Sequence, residues 1–268
     1  MTKSKDGPPP VAPTEDAFGK NVSSEQLFKH DQLEELRALI RSAIGQQAIA
    51  LVTGPPGVGK TTAVRSVTDE LPAHKYSSVY VGQDQSSVNV LHRFAHCLGI
   101  QPKHYRNRLA MQISQFLSEN LSAGGKNIVL IVDEAHLLDD STLEEFRLMT
   151  NANYDRQSPL TVILLGQPAL RLRMKASDFE ALSQRIPYRY SLEGLDEDET
   201  ANYIRLRLSA AGLSADIFSA EGLQFIFQVC QGVPRRINNL CSLALLRAKS
   251  KKLQTIDAAF LKELAELD

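Results

Sequence analysis

Apolar positions recur along this chain with two different periods, and the switches between them predict its elements. Leu27, Phe28, Leu33, Leu36, Leu39 and Ile40 fall at helical spacing up to Ile44, and Gly45 predicts the stop. Ala48–Val52 is instead a short continuous apolar run, cut off by Gly54-Pro55-Pro56-Gly57. It predicts a buried strand entering a tight turn. A helix from Lys60 to about Leu71 follows and is stopped by Pro72. Further strands are predicted at Ser78–Gly82, Ile128–Val132 and Thr161–Leu165, with a short one at Tyr188–Leu192. Amphipathic helices over Ser87–Gly99, Arg108–Leu121 and Ser141–Asn151 separate them. After Gly194 the strand signal stops, and Asp196–Ala211, Ser219–Cys230, Pro234–Ser250 and Ile256–Leu267 read as four helices.

Short apolar strands alternating with helices predict an α/β fold, a parallel sheet sandwiched by helices, followed by a small all-helical domain. The expected boundaries are a disordered arm over residues 1–16, an α/β domain over 17–194 and the helical domain over 195–268. The arm rests on a Pro8-Pro9-Pro10 run among charged and small residues, a composition that buries little. The chain shows no internal repeat.

Composition changes this picture mainly by exclusion. With 268 residues, 43% apolar and 23% charged, the chain is an ordinary globular one with ample length for a core. Thirty basic against thirty-one acidic residues leave a formal charge of −1, which excludes a uniformly basic nucleic-acid binder. Any such contact has to come from a local cluster. Apolar runs such as Ile128–Val132 fall far short of the ~20 residues a membrane span needs. The N-terminus lacks the apolar stretch of a secretory signal, so the expectation is a cytoplasmic protein with no membrane partner. Cys97, Cys230 and Cys241 are odd in number and far apart, and predict core fillers rather than a disulfide framework.

The chemistry is concentrated in two segments. Gly54-Pro55-Pro56-Gly57-Val58-Gly59-Lys60-Thr61 fits G-x-x-x-x-G-K-[ST] between a predicted strand and a predicted helix. Glycines there let backbone N–H groups converge on phosphate oxygens, and the following helix adds its positive end. Lys60 is expected to hold the β- and γ-phosphates of a nucleotide, Thr61 to offer a hydroxyl to Mg²⁺, and Thr62, next on the helix, to bind the same nucleotide. The second segment is Ile128–Val132 followed by Asp133 and Glu134, an apolar strand that delivers two carboxylates to the sheet edge. Asp133 is expected on Mg²⁺ through water, and Glu134 as the general base on the attacking water. Asp133-Glu134-Ala135-His136 also spells a helicase box, but those helicases need two α/β domains and this chain holds one. His92 and His96 beside Cys97 lack the further ligand that a zinc site requires.

With these two segments, the chain resembles the AAA+ ATPases over about residues 17–255. Within them it is most similar to the ExeA/TniB/TnsC-type branch of transposition-associated ATP-binding proteins. The phrases that carry the likeness are Leu143–Asn151, Leu164–Leu170 and Gly232–Leu240. The resemblance implies a P-loop core with a helical lid, ATP with Mg²⁺ as cofactor, and self-assembly as a ring or filament. It also implies that Gln167 is the sensor-1 residue, a departure from the family's usual Asn, Ser or Thr. Arg235, in Gly232-Val233-Pro234-Arg235, matches sensor 2, and Arg185 matches the arginine finger that serves a neighbour's site. For the adenine, Phe28 or Phe18 is a candidate, and each is equally readable as plain core.

Lys103, Arg106 and Arg108 stand with His104 and Tyr105 in a polar connector that contains no acid. The resemblance implies that the corresponding segment lines a DNA channel, where such cations track phosphates without reading bases. Read alone, the connector is equally a solvated loop. The leading expectation is therefore an oligomerising, DNA-binding ATPase that selects targets and activates a transposase. The alternatives are an ExeA/GspA-type secretion-associated ATPase and a nucleotide-binding scaffold with slow turnover. The secretion-type reading expects a downstream membrane segment and a further module, and it is placed second because the sequence reaches Asp268 without them.

Overall fold

Five parallel strands carry the first of two compact units in a computed structural model, which describes residues 17–19, 27–82, 87–151 and 157–265. The arm expected over residues 1–16 lies outside the described residues. In chain order the elements of the first unit, residues 31–192, are α1 (Asp31–Gly45), β1 (Ile49–Thr53), α2 (Lys60–Thr68), β2 (Tyr76–Val81), α3 (Ser87–Cys97), α4 (Arg106–Ser122), β3 (Asn127–Val132), α5 (Asp140–Met149), β4 (Leu160–Gly166), α6 (Pro168–Arg173), α7 (Glu180–Gln184) and β5 (Tyr188–Ser191). The sheet order is β2-β3-β4-β1-β5, so β1, β3 and β4 are interior and read as unbroken apolar runs.

Alternation along the strands sorts their side chains onto two faces. Ala50, Val52, Val129, Ile131, Ile163 and Leu165 pack with Leu36, Ile40, Ala63 and Val64 of α1 and α2. Leu51, Val79, Val81, Leu130, Val132 and Leu164 pack with Phe94 of α3, Ile113 and Leu117 of α4 and Phe146 of α5 on the other face. Each such side chain withdraws from water a surface worth roughly 1.5–3 kcal/mol. The expected parallel sheet sandwiched by helices is therefore the observed architecture.

Several local expectations shift. The first helix starts at Asp31 rather than near Leu27, because Phe28 leaves the helical stripe to lie against His30 and Tyr203. The helices α6 and α7, six and five residues long, went unpredicted because runs this short show no full amphipathic period. Cys97 is exposed, unlike the buried Cys230 and Cys241.

The second unit combines residues up to His30 with Glu193 onward. Its helices are α8 (Glu197–Ala210), α9 (Ala220–Cys230), α10 (Pro234–Ser250) and α11 (Ala258–Ala265). A reciprocal capping box starts α8, with Asp196 accepting from the Glu199 amide and Glu199 reaching back to the Asp196 amide. Ile204, Leu208, Ile226, Ile237, Cys241 and Leu261 are fully buried and form its core, and Phe18 joins the same cluster. The expectation had placed residues from 17 onward with the sheet. Phe18 and Phe28 pack with the helices instead: Arg207 (9% exposed) captures the carbonyls of Ala17 at 3.0 Å and Gly19 at 2.8 Å, and Phe28 lies against Tyr203. No described helix is long and apolar enough to cross a membrane.

Candidate functional site

The loop between β1 and α2 is shaped by its glycines. Gly59 caps α2 in the left-handed region at φ 109°, a conformation that costs a residue with a Cβ, so the chain can turn sharply into the helix. Val58 anchors the loop in the α1–α2 core, while Gly57 and Pro55 are half-buried and Pro56 is exposed. Lys60 is buried, and its Nζ donates to the carbonyls of Gly54 at 2.8 Å and Pro55 at 3.0 Å, so the ammonium lies folded over the loop. The amides of the first turn of α2 open toward the same loop, and Thr61 and Thr62 are half-buried there.

Asp133 reaches the loop through sheet register. Its amide donates to Val81 O at 2.9 Å, continuing the β2–β3 ladder. It stands two residues beyond Ile131, which faces α1 and α2, so its side chain leaves the sheet on the side of the phosphate loop. Thr61 Oγ1 donates to Asp133 Oδ2 at 2.7 Å, which joins the two sequence segments into one site. The other carboxylate oxygen, Oδ1, accepts from the amide of Glu134 at 2.9 Å.

Glu134 occupies the left-handed region at φ 52°, ψ 35°, a strain of order 1–3 kcal/mol for a non-glycine residue. That turn starts the short 3₁₀ segment Ala135–Leu137 and leaves the Glu134 carboxylate about one-third exposed. His136 Nδ1 stands 3.4 Å from Glu134 Oε2 without making a hydrogen bond. Gln167 follows Gly166 at the end of β4, between the ends of β1 and β3, and starts α6. Gly166 pairs with Thr53, the last residue before the loop, and accepts from the Gly54 amide at 3.2 Å.

Two side chains at this site escaped the sequence reading. His136 stands in the sequence only as the last letter of the helicase box, yet it touches Glu134. Tyr80 lies within the predicted Ser78–Gly82 strand, where nothing in the pattern marks it. Its hydroxyl donates to Asp133 Oδ2 at 2.8 Å, and burial, with that hydrogen bond adding to it, holds the phenol well above its usual pKa. The signal for Tyr80 is β2–β3 register, which local periodicity does not contain.

The remaining expected residues are distributed as follows. Arg185 is half-buried just after α7, in the unit that holds the sheet. Arg235 is exposed on the first turn of α10, in the helical unit. Phe28 stacks on His30 with centroids 5.8 Å apart and meets Tyr203 edge-on, so its ring is engaged in protein packing.

The basic connector divides. Lys103 and Arg108 are exposed, with the Arg108 guanidinium 5.6 Å from the Tyr105 ring. Arg106 is instead engaged within the chain. It bridges Asp139 at 3.0 Å and Glu145 at 3.0 Å and donates to the buried Thr142 hydroxyl at 2.7 Å. The absence of acids near it in sequence does not hold in space, and its charge is committed to α5. Arg173 is likewise committed, to Leu138 O at 2.7 Å and to the Asp140 carboxylate. Among the described residues no group of three His, Cys, Asp or Glu is arranged to hold a metal alone.

Comparison with known proteins follows this geometry. A model of the family described as AAA domain matches residues 40–174. The chain is 34% identical over 202 residues to general secretion pathway protein A of Aeromonas hydrophila, covering 74% of this chain and 36% of that protein. Among solved structures, Cdc6p of Pyrobaculum aerophilum superposes with a TM-score of 0.70 at 17% identity, covering 90% of this chain and 67% of that one. The ORC2 protein of Aeropyrum pernix, solved as ADPNP–ADP complexes, superposes at 0.64 with 14% identity, covering 93% and 71%. At such identities these two likenesses concern the fold.

Proposed function

This chain belongs to the AAA domain family, and from that premise we propose that it is a magnesium-dependent ATPase of the general secretion pathway protein A type. The observation that carries the reading is the 2.7 Å bond from Thr61 to Asp133, which joins a phosphate loop to an acidic strand end. Hard oxygens of a hydroxyl and a carboxylate, side by side, suit a small divalent cation that keeps most of its waters. Thr61 and Asp133 would hold Mg²⁺, while the loop amides and Lys60 would hold the phosphates of ATP. The bound metal–nucleotide would supply an electrophilic γ-phosphorus. Glu134, partly exposed and turned out of the strand by its left-handed backbone, accepts the proton of the attacking water. Gln167 orients the phosphate end, and Arg185 contributes charge to the site of a neighbouring copy.

The comparisons support the secretion-type alternative better than the transposition switch that the sequence phrases favoured. The chain spans 36% of its secretion-pathway relative, so its endpoint carries no weight against that reading. With Arg106 paired to two carboxylates, a contact with duplex DNA would fall to the exposed Lys103 and Arg108. Self-association with nucleotide and a cytoplasmic site of action remain part of the proposal.

Phosphate release from ATP tests it. Wild type is expected to turn over with Mg²⁺, and Glu134→Gln to be slower by about 10²-fold or more while still binding nucleotide. Equal rates in the two proteins would leave only a nucleotide-binding scaffold.

A further inference from the structure

We propose that Tyr80 is a positioning residue for the Asp133 carboxylate, setting how readily the site takes a divalent cation with its nucleotide. The inference rests on the reading of Asp133 as the metal-bearing acid and concerns a side chain outside both sequence segments.

Register puts the two groups together. Tyr80 pairs with Ile131 across the β2–β3 ladder, and Asp133 lies two residues beyond Ile131 on the same face. Such diagonal neighbours are within reach of an aromatic side chain. Tyr80 is 49% exposed on the edge strand, so its ring is not held there by core packing. The polar end still lands 2.8 Å from Asp133 Oδ2.

Gly82 makes that path possible. A Cβ at position 82 would meet the Tyr80 hydroxyl oxygen at 2.6 Å and two ring carbons at 2.7 and 2.9 Å. The phenol therefore crosses the bare backbone of Gly82 on its way to the carboxylate. Arg93 of α3 donates to the Gly82 carbonyl at 2.8 Å and holds that backbone in place.

Asp133 thus accepts three hydrogen bonds, from Thr61 and Tyr80 at Oδ2 and from the Glu134 amide at Oδ1. Thr61 belongs to the loop that would hold the cation, and its oxygen is itself a candidate ligand. Tyr80 belongs to the sheet, and its contact is independent of the loop. Partners that orient metal-binding carboxylates typically change metal affinity 10- to 100-fold when removed, and a half-exposed phenol belongs at the low end.

The experiment titrates Mg²⁺ into the full chain with a fluorescent, non-hydrolysable ATP analogue. It compares wild type with Tyr80→Phe, Gly82→Ala, the double variant and Asp133→Asn. Tyr80→Phe is expected to raise the Mg²⁺ concentration for half-maximal effect about tenfold. Its nucleotide affinity in EDTA and its melting temperature should match wild type, which a merely structural role would not produce. Gly82→Ala, which displaces an intact phenol, should raise the requirement similarly, and the double variant no further than the larger single one. Tyr80→Phe with a wild-type Mg²⁺ requirement overturns the inference if Asp133→Asn has lost Mg²⁺ dependence. An equal weakening in EDTA overturns it as well. A wild type without any Mg²⁺ dependence removes the reading of Asp133 and the inference with it. Should Gly82→Ala fail to fold, Tyr80→Phe decides alone.

Discussion

At the scale of single residues, the identity of a charge says less than the company it keeps. Arg106 and Arg108 stand two apart in one basic phrase, yet only Arg106 is folded onto carboxylates. Its guanidinium makes two contacts each with Asp139 and Glu145 and a fifth with the Thr142 hydroxyl. Removing it leaves a buried hydroxyl short of a donor and two acids facing each other without a cation. Arg106→Met, which keeps the aliphatic stem, is expected to cost about 2 kcal/mol. For a chain of this size that lowers the melting temperature by about 4–8 °C. If the protein retains duplex DNA, the salt dependence of that binding should be unchanged, whereas a lost phosphate contact would reduce the slope by about one. Thermal melting and a salt titration of DNA binding check the two halves separately.

Elements inherit this logic when a residue far away in sequence completes them. The helical unit is built from four C-terminal helices, but Arg207 of α8 reaches back to Ala17 and Gly19 and lies 5.8 Å over the Phe18 ring. It also donates to the Tyr203 hydroxyl at 3.1 Å, which in turn donates to Asn238 of α10 at 2.8 Å. A short N-terminal segment is thereby part of the same core. Phe18→Ala and Arg207→Met should each destabilise the helical unit by about 3 kcal/mol, the first through a cavity and the second through orphaned carbonyls. Chemical denaturation monitored in both variants, with limited proteolysis near residue 19, measures this. A change below 1 kcal/mol in both would show that the segment is a passive tail. The same example marks what the sequence made legible. Strands β1, β3 and β4 announce themselves because interior parallel strands are apolar on both faces, and Lys60, Thr61, Asp133 and Glu134 because phosphate chemistry needs them at fixed spacing. Helices α6 and α7 are too short to show a period. Phe18, Arg106 and Tyr80 act through partners at least 33 residues distant, so no local pattern encodes them.

At the scale of the whole molecule, a formal charge of −1 gives no general attraction to any polyanion, so function has to arise from assembly or from a specific partner. Arg185 bears on assembly. It occupies the link between α7 and the edge strand β5, half-buried, in the unit that carries the phosphate loop. Charge developing on a transferred phosphoryl group needs a cation aimed at it, and an arginine lent by a neighbouring copy contributes 10³–10⁵ in rate. If Arg185 is that arginine, nucleotide binding and self-association are linked, because the γ-phosphate becomes a contact between copies. Arg185→Ala should then bind a non-hydrolysable ATP analogue as wild type does, yet fail to form the larger species seen by light scattering. Its phosphate release should fall by about 10³-fold at concentrations where wild type assembles, and be indistinguishable from wild type at dilutions where neither does. Loss of turnover at every dilution would instead mean that Arg185 serves its own subunit, and wild-type assembly would mean that copies meet through another surface.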